Sequence, residues 1–280
     1  MTTVTRGDGF ERLQATINSG DRFFIGRLSG NETKITGLWA KGCNIIGDIV
    51  YMMSNNAGIK LNTRADLDMY VSAYLKAIDS CTLLGVWDGG MHEQAIELYE
   101  HLNGKYDDKY IPAQSLEAFY YFDHPTYAPL FKDKTILVVS SHENTIRQQI
   151  PILDALFPKK IFENCKFIVI KPPQQHAGHS DGRSWTYHME EFKANLRELS
   201  FDIALVSCGG FGMPICDFIY SDLKKSTMYI GGGLQLFFGI MGSRWSSNLF
   251  IRTLRNKKWC YPLEVDKPKG FMNVEGGCYW

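Results

Sequence analysis

Six stretches of this chain are apolar throughout rather than alternating: 23–27 (FFIGR), 82–87 (TLLGVW), 135–140 (TILVVS), 167–171 (FIVIK), 203–207 (IALVS) and 227–230 (TMYI). Each ends in polar or glycine-rich residues. Uniform apolarity of this kind predicts short strands in a sheet covered on both faces. Between them the period changes to that of a helix. Leu67, Tyr70, Tyr74, Leu75 and Ile78 recur at spacings of three and four, behind Thr63 as an N-cap with Asp66 three residues on. Ala95, Leu98, Tyr99 and Leu102 repeat the pattern, as do Met189, Phe192, Leu196 and Leu199. Residues 146–157 also read as helical, with Pro151 kinking or splitting the helix. Strands alternating with helices predict an α/β fold: one mostly parallel, doubly wound, Rossmann-like sheet of about six strands with helices on both faces. No repeat, low-complexity tract or linker interrupts it, so residues 1–280 are expected to form a single domain.

Such sheets bind ligands outside the carboxyl ends of their strands, which directs attention to the loops. The fifth loop runs Ser207-Cys208-Gly209-Gly210-Phe211-Gly212-Met213-Pro214 and leads into a helix. The sixth is Gly231-Gly232-Gly233, before a nearly all-apolar helix expected over 234–241. Glycines let backbone N–H groups approach an anion at a helix N-terminus; they equally make tight turns between packed elements. Gly210-Phe211-Gly212 lacks the third glycine of a dinucleotide fingerprint, and no G-K-[ST] is present, so a nicotinamide dehydrogenase and a P-loop ATPase both fit poorly.

The first loop offers Gly30, Asn31 and Glu32, the last a general base, a cation ligand or a solvated helix-start acid. Asp88 in the second is an N-cap or a carboxylate facing substrate. The third brings Ser141 and His142 to a helix start. The long fourth contains His176-x-x-His179-x-Asp181 and is followed by Trp185; it reads as a lid or acceptor-contacting loop more readily than as a metal site. Arg244-Trp245 pairs a phosphate-binding side chain with a ring that stacks on a base or sugar, or is a solvated Arg beside a core Trp.

Composition narrows the field. Lys plus Arg and Asp plus Glu both number 30, so the net charge is zero, which argues against nucleic acid as the main partner. No apolar run approaches the ~20 residues of a membrane span, and the first residues lack a signal-peptide core. Seven cysteines, an odd number without C-x-x-C spacing, suggest free thiols in a reducing compartment and a cytoplasmic protein.

The loops also carry a resemblance. Ile25-Gly26-Arg27-Leu28-Ser29-Gly30-Asn31-Glu32, Val138-Val139-Ser140 running into Thr145-Ile146 and Gln149, residues 207–214, and above all Tyr229 to Gln235 through Phe238-Gly239-Ile240 to Arg244-Trp245 resemble a family of bacterial and viral proteins of polysaccharide assembly. That family is related to glycosyltransferases of the GT-D fold, and the likeness extends over residues 23–245. It implies a UDP-sugar donor and a glycan or glycoprotein acceptor. The nucleotide sugar would lie against Gly30, Asn31, Ser141, His142, Ser207, Gly209, Gly210, Gly212, Gly231, Gly232, Gly233, Gln235, Arg244 and Trp245. Length and overall sequence resemble in particular viral xylosyltransferases of capsid N-glycan synthesis. This implies UDP-xylose, a fucose acceptor and inversion, with Glu32 and then Asp88 as candidate bases. His179, Asp181 and Trp185 are candidate acceptor contacts. GT-D enzymes often carry Arg-Phe-Gly-Asp-Gly-Glu at the first loop, with the Asp-x-Glu pair tied to a divalent metal. Gly30 stands at that Asp position, which leaves Mn²⁺ or Mg²⁺ an open expectation; a metal-free enzyme would neutralise the diphosphate with Arg244, helix N-termini and His142. Against this stand another Rossmann-like transferase, such as a methyltransferase, and a non-catalytic nucleotide-binding protein.

Overall fold

The computed structural model describes residues 4–45, 47–87, 96–105, 108–117, 127–173, 175–177 and 180–280. Its centre is one all-parallel sheet of seven strands: β1 Phe24–Arg27, β2 Leu83–Val86, β3 Tyr110–Pro112, β4 Thr135–Ser140, β5 Lys166–Ile170, β6 Ile203–Ser207 and β7 Ser226–Tyr229. Their order is β3-β2-β1-β7-β6-β4-β5, a Rossmann-like α/β arrangement. The expected six strands are all present, and the seventh is β3. It holds only three residues at a sheet edge, too short for an apolar run to stand out, and Pro112 is tolerated there because an edge strand can spare an N–H.

Around the sheet lie α1 Arg6–Asn18, α2 Gly30–Ala40, α3 Gly47–Asn55, α4 Arg64–Ser80, α5 Ile96–Leu102, α6 Glu143–Gln149, α7 Trp185–Arg197, α8 Gly212–Ser221 and α9 Leu249–Leu254. The Thr63–Asp66 capping box forms as expected at the start of α4. Pro151 splits the expected 146–157 helix: α6 stops at Gln149, and 3₁₀ turns continue through Ile150–Ala155. The sequence pattern does not announce α1 or α3. Each buries few side chains, Phe10 and Leu13 in α1 and Met53 and Asn55 in α3, so neither shows a continuous apolar stripe. The expected helix over 234–241 is instead a 3₁₀ run, Gly231–Phe238, that begins at the glycine triplet and ends at left-handed Gly239.

Although the strands are apolar throughout, neighbouring residues serve opposite cores. Leu83, Ile25, Met228, Leu205, Val138 and Val169 align in register across the sheet and pack on one face with α1, α6, α9 and the 3₁₀ run. Leu84, Phe24, Tyr229, Val206 and Val139 point to the other face, under α2, α4, α5, α7 and α8. Connections stepping toward the β3 edge lie on this second face, and those stepping toward the β5 edge lie on the first. A single crossover hand produces that division.

Candidate functional site

The chain leaves β1 onto the face of α2, whereas it leaves the adjacent β7 onto the opposite face. Diverging loops open a crevice at the carboxyl ends of the strands, the place where open α/β sheets take ligands. A cavity of about 420 Å³ occupies it. Lining it are Gly30, Asn31 and Glu32 after β1, Ser141 and His142 after β4, Ser207 and Gly209 after β6, and Gly231, Gly232, Gln235 and Arg244 after β7. Residues 142 and 235 lie 93 positions apart in sequence and still line one cavity, where Gln235 Nε2 donates to Tyr279 O (3.1 Å).

Several expected site residues stand elsewhere. Asp88 and His179 lie outside the described residues. Gly210 and Gly212 do not line the cavity. A Cβ on Gly210 would strike Ile59, and one on Gly212 the Tyr229 ring, so both glycines answer to packing. The Gly210 N–H is already given to Ala57 O (2.8 Å), and Tyr70 and Tyr229 hydroxyls donate to the carbonyls of Gly210 and Gly209. Gly233 also lies off the cavity, with Glu117 at ordinary contact distance. Trp245 is a core residue, 1 % exposed, with its ring edge against Tyr279. Trp185 is likewise buried, edge-on to Tyr70 with its indole N–H donating to Asp66 O (3.0 Å); it presents no platform to an acceptor. Asp181 is exposed and accepts from the Arg183 N–H and His188. Gln175 and His176, from the fourth loop, are buried, and the neighbouring Ala177 N–H donates to Asn55 O.

Sequence reasoning passed over Arg27, the residue that organises the cavity floor. It closes β1, and a charge ending an otherwise apolar strand was the available signal. Its Nη1 donates to Glu117 Oε1 (3.1 Å), and its guanidinium lies 5.3 Å from the Trp87 ring centre and 5.5 Å from that of Tyr229. Burial pulls its pKa down, but Glu117, Tyr229 and Tyr279 outweigh this and leave it raised, so Arg27 stays charged. Burial lifts the Glu117 carboxyl, with Arg27 and Arg244 opposing. Arg27 Nε has no partner and is buried. Segment 271–280 also went unread. It supplies Glu275, Tyr279 and Trp280 to the cavity, and Arg244 donates to Glu275 Oε2 (2.8 Å) and to the Tyr279 hydroxyl. No local pattern in 271–280 marks it; only long-range packing brings it to the strand ends.

Glu32 sits in the first turn of α2 and is 4 % exposed. Burial raises its pKa; its own backbone N–H, Arg27 and Ser29 oppose the rise, and Glu275 adds to it. A carboxylate held up in this way beside a cavity is a stronger base than a solvated one. His142 and His176 are buried and pushed down to about 4, so both are neutral imidazoles. His142 Nε2, His176 Nδ1 and Gln235 Oε1 have no partner. The Gln235 amide has no alternative orientation, because its nitrogen serves two carbonyls, Ile240 O and Tyr279 O. Buried polar atoms without partners are costly, and their concentration around one cavity marks it as a place for a polar ligand.

A protein-held Mn²⁺ or Mg²⁺ needs several oxygen ligands, and the donors among the described residues do not fit it. Of the cavity's carboxylates among the described residues, Glu32 is buried under the influence of Arg27 and Glu275 is paired with Arg244. No group of three His, Cys, Asp or Glu is placed to hold a metal among those residues.

Comparison of the chain with models of protein families, with curated proteins and with solved structures yields no match. Fold and site therefore define a class: a Rossmann-like α/β protein whose switch-point cavity carries two arginines, a buried carboxylate and unpartnered polar atoms. No helix of the described residues is long and apolar enough to cross a membrane.

Proposed function

We propose that this chain is a nucleotide-sugar-dependent glycosyltransferase of the GT-D type, with Glu32 as its base. One observation carries the reading: a buried carboxylate of raised pKa shares a switch-point cavity with Arg27 and Arg244. A diphosphate leaving group calls for preorganised cations, and an acceptor hydroxyl calls for a base. Glu32 takes the proton of the acceptor hydroxyl as its oxygen bonds to the anomeric carbon. The bond from that carbon to the donor phosphate breaks, its electron pair leaving on the diphosphate. Arg27 and Arg244 then face the developing charge. The particular assignment is transfer of xylose from UDP-xylose, with inversion, to a fucose of an N-glycan; it rests on the sequence resemblance.

A thermal-shift series with UDP, UDP-sugars and S-adenosylmethionine tests the class. A ligand at 100 times its dissociation constant adds about 2.7 kcal/mol of stability. UDP and UDP-sugars are expected to raise the melting temperature. A response to S-adenosylmethionine alone would assign the site to a methyltransferase.

A further inference from the structure

A second cavity, of about 390 Å³, opens between α2 and α3 and meets the first at Asn31 and Met52, which line both. The helix α2 presents Asn31, Lys34 and Leu38 to it, at the spacing that keeps residues on one helix face. From α3 come Asp48, Ile49 and Met52, and Asn44 and Ile45 complete the lining. The lining is thus half carbon and half polar, with the two kinds interleaved. Its charges cancel: one Lys, one Asp, neither ion-paired among the described residues, and no Arg.

That chemistry argues against a phosphate, which would want surplus positive charge, and against a lipid or apolar helix, which would leave the polar half of the lining without partners. It suits a pyranose, whose C–H face packs on Leu38 and Ile49 while its hydroxyls reach Asn31, Asn44, Lys34 and Asp48. Tyr51, 61 % exposed on α3 beside Met52, adds an aromatic ring to that helix's outer surface. Asn31 and Met52 line both cavities, so a saccharide in the cleft has a continuous path to the cavity that holds Glu32. We propose that the α2–α3 cleft is the acceptor-saccharide subsite. The word acceptor rests on the glycosyltransferase reading; the saccharide chemistry does not.

The test titrates ¹⁵N-labelled full-length protein with methyl pyranosides of fucose, galactose, glucose and mannose, without donor. Amide shifts should concentrate at Lys34, Asp48 and Ile49 for at least one of them, and Asp48→Ala should weaken that binding about tenfold. Lys34 and Asp48 are exposed, so neither substitution threatens the fold. In parallel, Asp48→Ala and Lys34→Ala should keep the UDP-sugar thermal shift and acceptor-free donor hydrolysis while the KM for the saccharide rises about tenfold. Absence of shifts at the cleft, or an unchanged KM in both variants, overturns the subsite. Shifts at the cleft in a protein that ignores UDP-sugars leave a saccharide site standing and overturn the transferase reading, and acceptor with it.

Discussion

A Cβ on Gly231 would occupy the place of the Arg27 guanidinium. The first residue of the glycine triplet is therefore small because an arginine from the neighbouring strand lies against it, and its backbone is left-handed besides, at φ +71°. Gly232 is small for a similar reason, since its Cβ would meet the Tyr279 ring. The triplet makes room for protein side chains that line the cavity, and through them it shapes the seat for a ligand.

Gly231→Ala consequently carries two penalties, the left-handed backbone at about 1–2 kcal/mol and a displaced Arg27. Gly233→Ala carries neither, because its Cβ would meet Glu117 at an ordinary 3.6 Å. Urea unfolding should show a loss of about 2 kcal/mol or more for the first and a change within about 0.5 kcal/mol for the second. Equal losses would mean that the Arg27 contact is not what constrains the triplet.

Breaking the Arg27–Glu117 pair leaves a buried carboxylate uncompensated, which costs about 3–5 kcal/mol. Arg27→Met should lose that much in denaturant unfolding. The double variant Arg27→Met, Glu117→Gln should recover most of it, because no charge then remains at the site. A double variant no more stable than Arg27→Met would show that lost packing on Trp87 and Tyr229 dominates.

Arg244 presents the opposite case in the same cavity. Its side chain is 42 % exposed, and surface pairs of this kind contribute about 0–1 kcal/mol. Arg244→Ala should leave the melting temperature nearly unchanged while weakening UDP-sugar binding about tenfold or more in calorimetric titration. Undiminished binding would remove Arg244 from the diphosphate site.

Glu32→Gln should retain donor binding and lose transfer. It should also alter stability in a pH-dependent way. The Glu32 carboxyl is raised in the fold above its unfolded value, so its ionisation opposes folding. That opposition is absent below the unfolded pKa of about 4.3 and grows as pH rises through the folded one. The variant should therefore gain stability over wild type at neutral pH and match it at about pH 4. Normal turnover in the variant would dismiss Glu32 as base.

His142 and His176 bias stability the other way. Each is lowered from 6.5 to about 4 by burial, so the unfolded chain binds the extra protons between those values. Stability present above pH 6.5 should drain away as the pH falls toward 4. Melting temperature measured across that window should drop for wild type and drop less for His176→Gln. Parallel curves would mean that the His176 imidazole stays neutral in neither state or charges equally in both.

Much of the scaffold was legible along the chain. The strands β1, β2, β4, β5, β6 and β7 showed as apolar runs because both faces of the sheet are covered, and the Thr63–Asp66 cap and the break at Pro151 are local backbone chemistry. The short edge strand β3 and the sparse helices α1 and α3 were not, since few of their side chains enter a core. Within the site, the sequence brought forward Glu32, His142, Gln235 and Arg244, all of which line the cavity, on polar types and glycines at strand ends.

Which of those glycines face a ligand and which face a neighbour was decided only by tertiary structure. Gly212 under Tyr229 and Gly231 against Arg27 look alike in sequence, as do Trp185 and Trp245 and any exposed tryptophan. Local pattern records the periodicity of burial and the backbone's turn chemistry, because both act over a few residues. Arg27 meeting Glu117, 90 positions away, and segment 271–280 closing over the strand ends are contacts between distant parts of the chain. Only the folded arrangement fixes them, and they turn glycine-lined strand ends into a cavity with charge of its own.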